Sequence, residues 1–111
     1  MPRLKQHLSD IVDSAKPAIQ YCSTVSEEEF LEDIRLQDSV IRRIEIMGEA
    51  VRRIPQEERS AWPGLPWGAI MGMRNMMIHQ YDDIDPLIVW ETVKEDLPNL
   101  ILQVENLLHK L

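Results

Sequence analysis

The sequence predicts an all-α domain, an up-and-down bundle of four main helices with a short fifth one. Three observations carry this reading. Apolar residues recur three and four positions apart over most of the 111 residues, the period of an amphipathic helix. Strand signals are missing: there is no sustained alternation and no Asn-Gly or Asp-Gly pair. Most of the 7 prolines stand at the edges of the periodic runs, and only 4 glycines occur. The length supports a single domain over residues 1–111. Such a chain hides roughly two thirds of its unfolded surface, so its core needs neither a disulfide nor a structural metal.

The first helix is expected from about Leu4 to Tyr21, where Leu4, Leu8, Ile11, Ala15, Ala18 and Cys22 keep helical spacing. Pro17 lies inside it and should kink it or mark a join. Ser26 and Glu29 form a capping box that opens a short helix over Glu27 to Leu31. A long helix follows from about Asp33 to Ile54, stopped by Pro55. Ile34, Ile41, Ile44, Met47, Val51 and Ile54 mark its apolar side. Residues 55–66 contain three prolines and Gly64 and read as a loop, with Trp62 and Trp67 packing down its Pro63-Gly64-Leu65-Pro66 turn. A Met-rich helix runs from about Pro66 to His79 or Tyr81. Asp85 and Pro86 make an N-cap and first helical position for the last helix, which extends to about His109 with Pro98 as an interior breaker. Its apolar face is Leu87, Trp90, Val93, Leu97, Ile101, Val104 and Leu108.

Composition excludes several classes. No apolar run is long enough to span a bilayer, and the N-terminus has no apolar signal core. Cys22 is a lone thiol, so an internal disulfide or a zinc site is out of reach and a reducing, cytoplasmic location is the simplest reading. A net charge of −7 argues against coating duplex DNA. The positive charge is nonetheless concentrated. Arg35, Arg42, Glu49 and Arg53 are spaced by 7, 7 and 4 residues and fall on one helical stripe. Arg35, Arg42 and Arg53 are candidate RNA-phosphate contacts or a solvated face. Glu45 and Glu49 form an acid pair or neutralise neighbouring arginines.

The chemistry-bearing stretch is Arg74-Asn75-Met76-Met77-Ile78-His79-Gln80-Tyr81. Asn75 and His79 are four apart and share a helix face; Arg74 and Tyr81 are seven apart and align. His79 lies about 140° round the helix from Arg74, so the two flank one groove. A planar forked cation suits phosphate, and a histidine passes protons near neutral pH. Such a set suits RNA cleavage by the RNA's own 2′-hydroxyl. His79 would be general base or acid, Arg74 would stabilise charge on the pentacoordinate phosphorus, and Asn75 would orient. No cofactor or metal is required. A twofold homodimer would supply acid and base from two copies of one histidine. The same residues also read as helix capping, because cations favour a helix C-terminus. His79 with Asp82, Asp83 and Asp85 reads as a cation site or as a solvated loop with an N-cap. The methionines read as core or interface filling.

With these flanks, Arg74, His79 and Tyr81 resemble the Arg-x4-His-x-Tyr signature of HEPN domains of the HepT toxin type. The Ile44–Ala50 run resembles that family's Gly-Glu helix. Pro66-Trp67, Ile70 and Met73 precede the motif in matching order, and Val89-Trp90-Glu91 and Asp96-Leu97-Pro98 resemble its last helix. The resemblance implies a HEPN bundle, a homodimer with motif helices facing a shared cleft, and metal-independent RNA cleavage. It also implies an MntA-type nucleotidyltransferase antitoxin that adenylylates the tyrosine matching Tyr81. The competing expectation is a non-catalytic helical dimer that presents nucleotide or substrate to a partner nucleotidyltransferase.

Overall fold

In the computed structural model, residues 2–79 and 84–111 are described, with Pro2 and His79 as backbone alone. Among the described residues seven helices follow in order: α1 Pro2–Ser23, α2 Glu27–Glu32, α3 Ile34–Arg52, α4 Gln56–Ala61, α5 Trp67–His79, α6 Pro86–Glu91 and α7 Leu97–Lys110, with a π-helical segment at Thr92–Asp96 between the last two. No strand occurs among the described residues. Helix α1 packs on α3 and α7, and α3 packs in turn on α5.

The apolar stripes are the reason for this order. Leu8, Ile11, Ala15, Ala18 and Cys22 of α1 are fully buried, as are Val40, Ile44, Met47 and Val51 of α3. Leu97 and Val104 of α7 and Ile70 and Met77 of α5 complete the core. Ile34 departs from the expected apolar side and is 71% exposed. It is the first residue of α3, and the helix reaches full burial only nearly two turns later, at Val40.

Local signals set most boundaries. The Ser26 hydroxyl accepts from the Glu29 amide and the Glu29 carboxylate accepts from the Ser26 amide, both at 3.1 Å. Asp33 caps α3 through the Leu36 amide at 3.0 Å, and Asp85 caps α6 through the Leu87 amide at 2.9 Å. The Phe30 and Trp90 rings meet at 5.2 Å, and Lys94 lies 4.7 Å above Trp90 while donating to the Cys22 carbonyl at 3.0 Å. These contacts tie α2 to α6 and the end of α1 to the π-helical segment.

Three expectations change. Pro17 does not divide the first helix, which continues to Ser23. The carbonyl deprived of its donor is that of Asp13, an exposed residue, where solvent can satisfy it. The 55–66 loop contains α4, opened by the Pro55 carbonyl accepting from the Glu58 and Arg59 amides at 3.0 and 3.1 Å. Glu57 and Glu58 in its first turn suit a helix N-terminus. The last helix divides before Pro98 rather than at it. Pro98 has no amide to donate to Lys94, and its ring crowds that carbonyl. The helix widens over Thr92–Asp96, and the Leu97 amide reaches back five residues to the Thr92 carbonyl.

Candidate functional site

Position comes first. At the entry to α5 the Trp67 indole N–H donates to the carbonyls of Arg59 and Trp62, each at 3.0 Å. This pins the start of α5 to the end of α4, as expected of the two tryptophans flanking that turn. Ile70 and Met77 then bury one side of the helix against the core. Arg74, four after Ile70, points at α3 and meets Gly48 there. A Cβ placed on Gly48 would overlap the Cβ, Cγ and Cδ of Arg74. Glycine is therefore required by close approach, and the Arg74 stem fills the space that a side chain would take.

The head group is held as firmly. Arg74 Nε and Nη2 donate to one Glu49 carboxylate oxygen at 3.1 and 2.7 Å. Arg74 Nη1 donates to the Asn75 side-chain oxygen at 3.2 Å. The Arg74 side chain is only 13% exposed. Glu49 titrates below the usual carboxylate range, chiefly through the Arg74 hydrogen bonds. Partial burial opposes this, and the charges of Arg74, Arg52 and Arg53 add to it. Glu49 is thus ionised near neutral pH, and the guanidinium keeps a fixed plane. Arg52 approaches the same oxygen at 3.9 Å. The reading of Glu49 as neutralising neighbouring arginines is thus met by Arg52 and, more closely, by Arg74, which lies 25 residues away in the chain.

His79 ends α5 as backbone; its side chain, and Gln80, Tyr81, Asp82 and Asp83, lie outside the described residues. The arrangement of imidazole and phenol sought in the motif, and the cation site sought at Asp82 and Asp83, therefore lie outside them too. Among the described residues no group of three or more His, Cys, Asp or Glu is placed to hold a metal ion. No helix among them is long and apolar enough to cross a membrane.

Arg35, Arg42 and Arg53 are all exposed. Arg35 and Arg53 are separated by about 27 Å of helix rise, so the three mark a line along α3 and cannot share one phosphate. Asn99 and Asn106 are exposed, and His109 is exposed at the end of α7. His7 is half-buried, and its Nδ1 has no hydrogen-bond partner.

A permanent cation fixed by a carboxylate and an amide, on the helix that also carries His79, is an arrangement that can stabilise a phosphoryl group. The HepT-like family, described as ribonuclease HepT-like, matches residues 11–107. The chain belongs to the HepT-like ribonuclease family. Its relatives include "Putative RNase MJ1380" of Methanocaldococcus jannaschii, 38% identical over 92% of this chain and 94% of the relative. Another is "Probable ribonuclease HepT" of Thermococcus cleftensis, 37% identical over 93% of this chain and 94% of the relative. A third, "Putative RNase TTE0752" of Caldanaerobacter subterraneus subsp. tengcongensis, is 35% identical over 96% and 95%. No solved structure matches the chain. Within the matched residues, packing fixes the orientation of Arg74. The partners that orient it, Gly48 and Glu49, were visible in the sequence as a Gly-Glu pair but not as its ligands.

Proposed function

We propose that this HepT-like chain is a metal-independent ribonuclease toxin, acting as a homodimer and silenced by adenylylation of Tyr81. The observation that carries the reading is Arg74, almost buried and held by Glu49 and Asn75, five residues before His79 in one helix. An arginine so fixed does not reorganise when charge builds on phosphorus, which is what electrostatic preorganisation requires.

In the reaction the RNA 2′-oxygen attacks the adjacent phosphorus and the bond to the 5′-oxygen breaks. The products are a 2′,3′-cyclic phosphate and a 5′-hydroxyl. His79 of one protomer takes the 2′-hydroxyl proton, and the second copy gives a proton to the leaving 5′-oxygen. Arg74 neutralises the added charge on the phosphoryl oxygens, and Asn75 steadies its fork. Arg35, Arg42 and Arg53 track the flanking phosphates.

The partner is an MntA-type nucleotidyltransferase antitoxin. The Tyr81 oxygen attacks the α-phosphorus of ATP and pyrophosphate leaves, which puts an anion and a nucleoside on the residue seven positions after Arg74. The block is steric and electrostatic together.

The test is one gel of total cellular RNA in EDTA with wild type, His79→Ala and Arg74→Ala. Mass spectrometry first establishes that Tyr81 is unmodified. Wild type should cut and both variants should not. Cleavage surviving both substitutions overturns the mechanism. No cleavage by unmodified wild type favours the non-catalytic dimer. Tyr81→Phe should cut and resist silencing by partner plus ATP; full silencing would place control elsewhere.

A further inference from the structure

Where the end of α1 meets the first half of α3, Tyr21, Asp38, Ser39, Arg42, Arg43 and Ile46 line an open groove of about 400 Å³. Tyr21 is 37% exposed there, a large ring with one part left to solvent. Among the described residues, neither Arg42 nor Arg43 has a carboxylate within ion-pair distance, although Asp38 shares the groove. The Ser39 hydroxyl donates to the Arg35 carbonyl at 3.0 Å, so its oxygen can still accept a hydrogen bond.

The mixture of groups narrows the ligand. A simple anion would gain from two arginines but face the Asp38 carboxylate. A nucleotide offers an anion, a π-face and hydrogen-bond donors together. Stacking on an aromatic side chain is how single strands are held without a sequence code. A carboxylate accepts from the amino hydrogens of a base edge. Arginine is suited to phosphate through its forked donors.

Position agrees. Arg42 lies seven residues before Glu49, two turns along one line of α3 and about 10 Å by helix rise. Glu49 is the residue that holds Arg74. A strand laid along α3 from the groove therefore reaches Arg74 within a few nucleotides. Helices α1 and α5 both pack on α3, so the Tyr21 ring and the Arg74 head are contributed by different neighbours of one helix.

We propose that this groove is a nucleotide subsite for the RNA strand, in which a base stacks on Tyr21, Asp38 accepts from the base edge, and Arg42 and Arg43 hold the flanking phosphates. The proposal rests on the reading of the chain as an RNA-cleaving enzyme and adds where its substrate is held. Guanine presents two adjacent donors to a carboxylate and uracil presents one, so the subsite favours guanine modestly.

The test uses the full chain carrying His79→Ala, to suppress cutting, and a fluorescent single-stranded RNA of eight nucleotides in EDTA, read by anisotropy. Adding Tyr21→Ala should weaken binding about tenfold, and Tyr21→Phe, which keeps the ring, should recover most of it. Arg42→Ala and Arg43→Ala should each flatten the salt dependence by roughly 0.7 in slope, one phosphate contact on a single strand. Asp38→Asn should narrow the difference between guanine- and uracil-rich strands. Unchanged affinity in Tyr21→Ala overturns the subsite. So does a loss of affinity accompanied by a changed mass in light scattering, which would make the groove an interface between copies. Wild-type cleavage of total RNA is measured in parallel. If wild type cuts while Tyr21→Ala binds normally, the subsite alone fails; if wild type neither cuts nor binds, the ribonuclease mechanism fails and takes the subsite with it.

Discussion

Two cationic regions lie beside α3 and are built in opposite ways. At Arg74 the stem is walled in by Gly48, the head is bound to Glu49 and Asn75, and 13% of the side chain is exposed. At Arg42 and Arg43 no such partner is present among the described residues; Arg42 is exposed and Arg43 half-buried. An arginine whose position is already determined loses little freedom when it meets a phosphoryl group. It can therefore favour a transition state over a ground state. An arginine in open solvent must be ordered by the ligand itself. It attracts phosphates over distance and is screened by salt. The difference separates a group suited to chemistry from groups suited to capture.

The largest break in that contrast should come from Gly48→Val. The new side chain would occupy the space of the Arg74 stem, forcing α3 and α5 apart or expelling the arginine. We expect a destabilisation of about 1–3 kcal/mol, read as a fall of several degrees in Tm, together with loss of RNA cleavage. A variant as stable and active as wild type would show that the close approach is dispensable.

Glu49→Ala should come next. It leaves Arg74 in place on its helix but frees the head, and a misplaced catalytic group costs about 10²-fold in rate. The effect should fall on kcat, with RNA binding little changed. A change in KM alone would assign Glu49 to substrate binding instead.

Arg35→Ala and Arg53→Ala should have smaller effects, a few-fold weaker RNA binding that disappears in high salt. A salt-independent loss would mean that either residue is structural.

The smallest effect concerns pH. The Glu49 carboxyl titrates below its ordinary range in the folded chain, chiefly because of Arg74. Its contribution to stability is therefore fully present above the unfolded value, about 4.3, and is lost as pH falls through the lower folded value. Between pH 5 and 8 the pair should stay intact, and Glu49→Gln should leave the position of any acid limb in the cleavage profile unchanged. A shifted limb would show that Glu49 titrates in the working range.

Most of the bundle was legible along the chain. Helices α1, α3 and α7 are long enough for their apolar period to show, and Ser26 and Asp85 mark starts through their own side chains, whereas Asp33, expected as the first residue of its helix, is its cap. Helix α4 was not legible because six residues between prolines carry no period; Pro55 followed by Glu57 and Glu58 was the available signal. Pro98 announced a disturbance but not its form. The choice of a wider turn at Thr92–Asp96 depends on keeping both Val93 and Leu97 in the core, where each is almost wholly buried.

By itself the sequence determined the helical class, the caps at Ser26 and Asp85 and the line of arginines on α3, because each depends on neighbours within about one or two turns. It also placed Arg74, Asn75 and His79 on one helix. Only the tertiary structure decided the partnership of Glu49 with Arg74, beside its longer contact with Arg52 of its own helix. That partnership crosses 25 residues, is possible only where Gly48 lets two helices approach, and depends on how deeply α5 is seated by Trp67. Periodicity records which face a residue takes; it does not record which side chain of another helix will be waiting there.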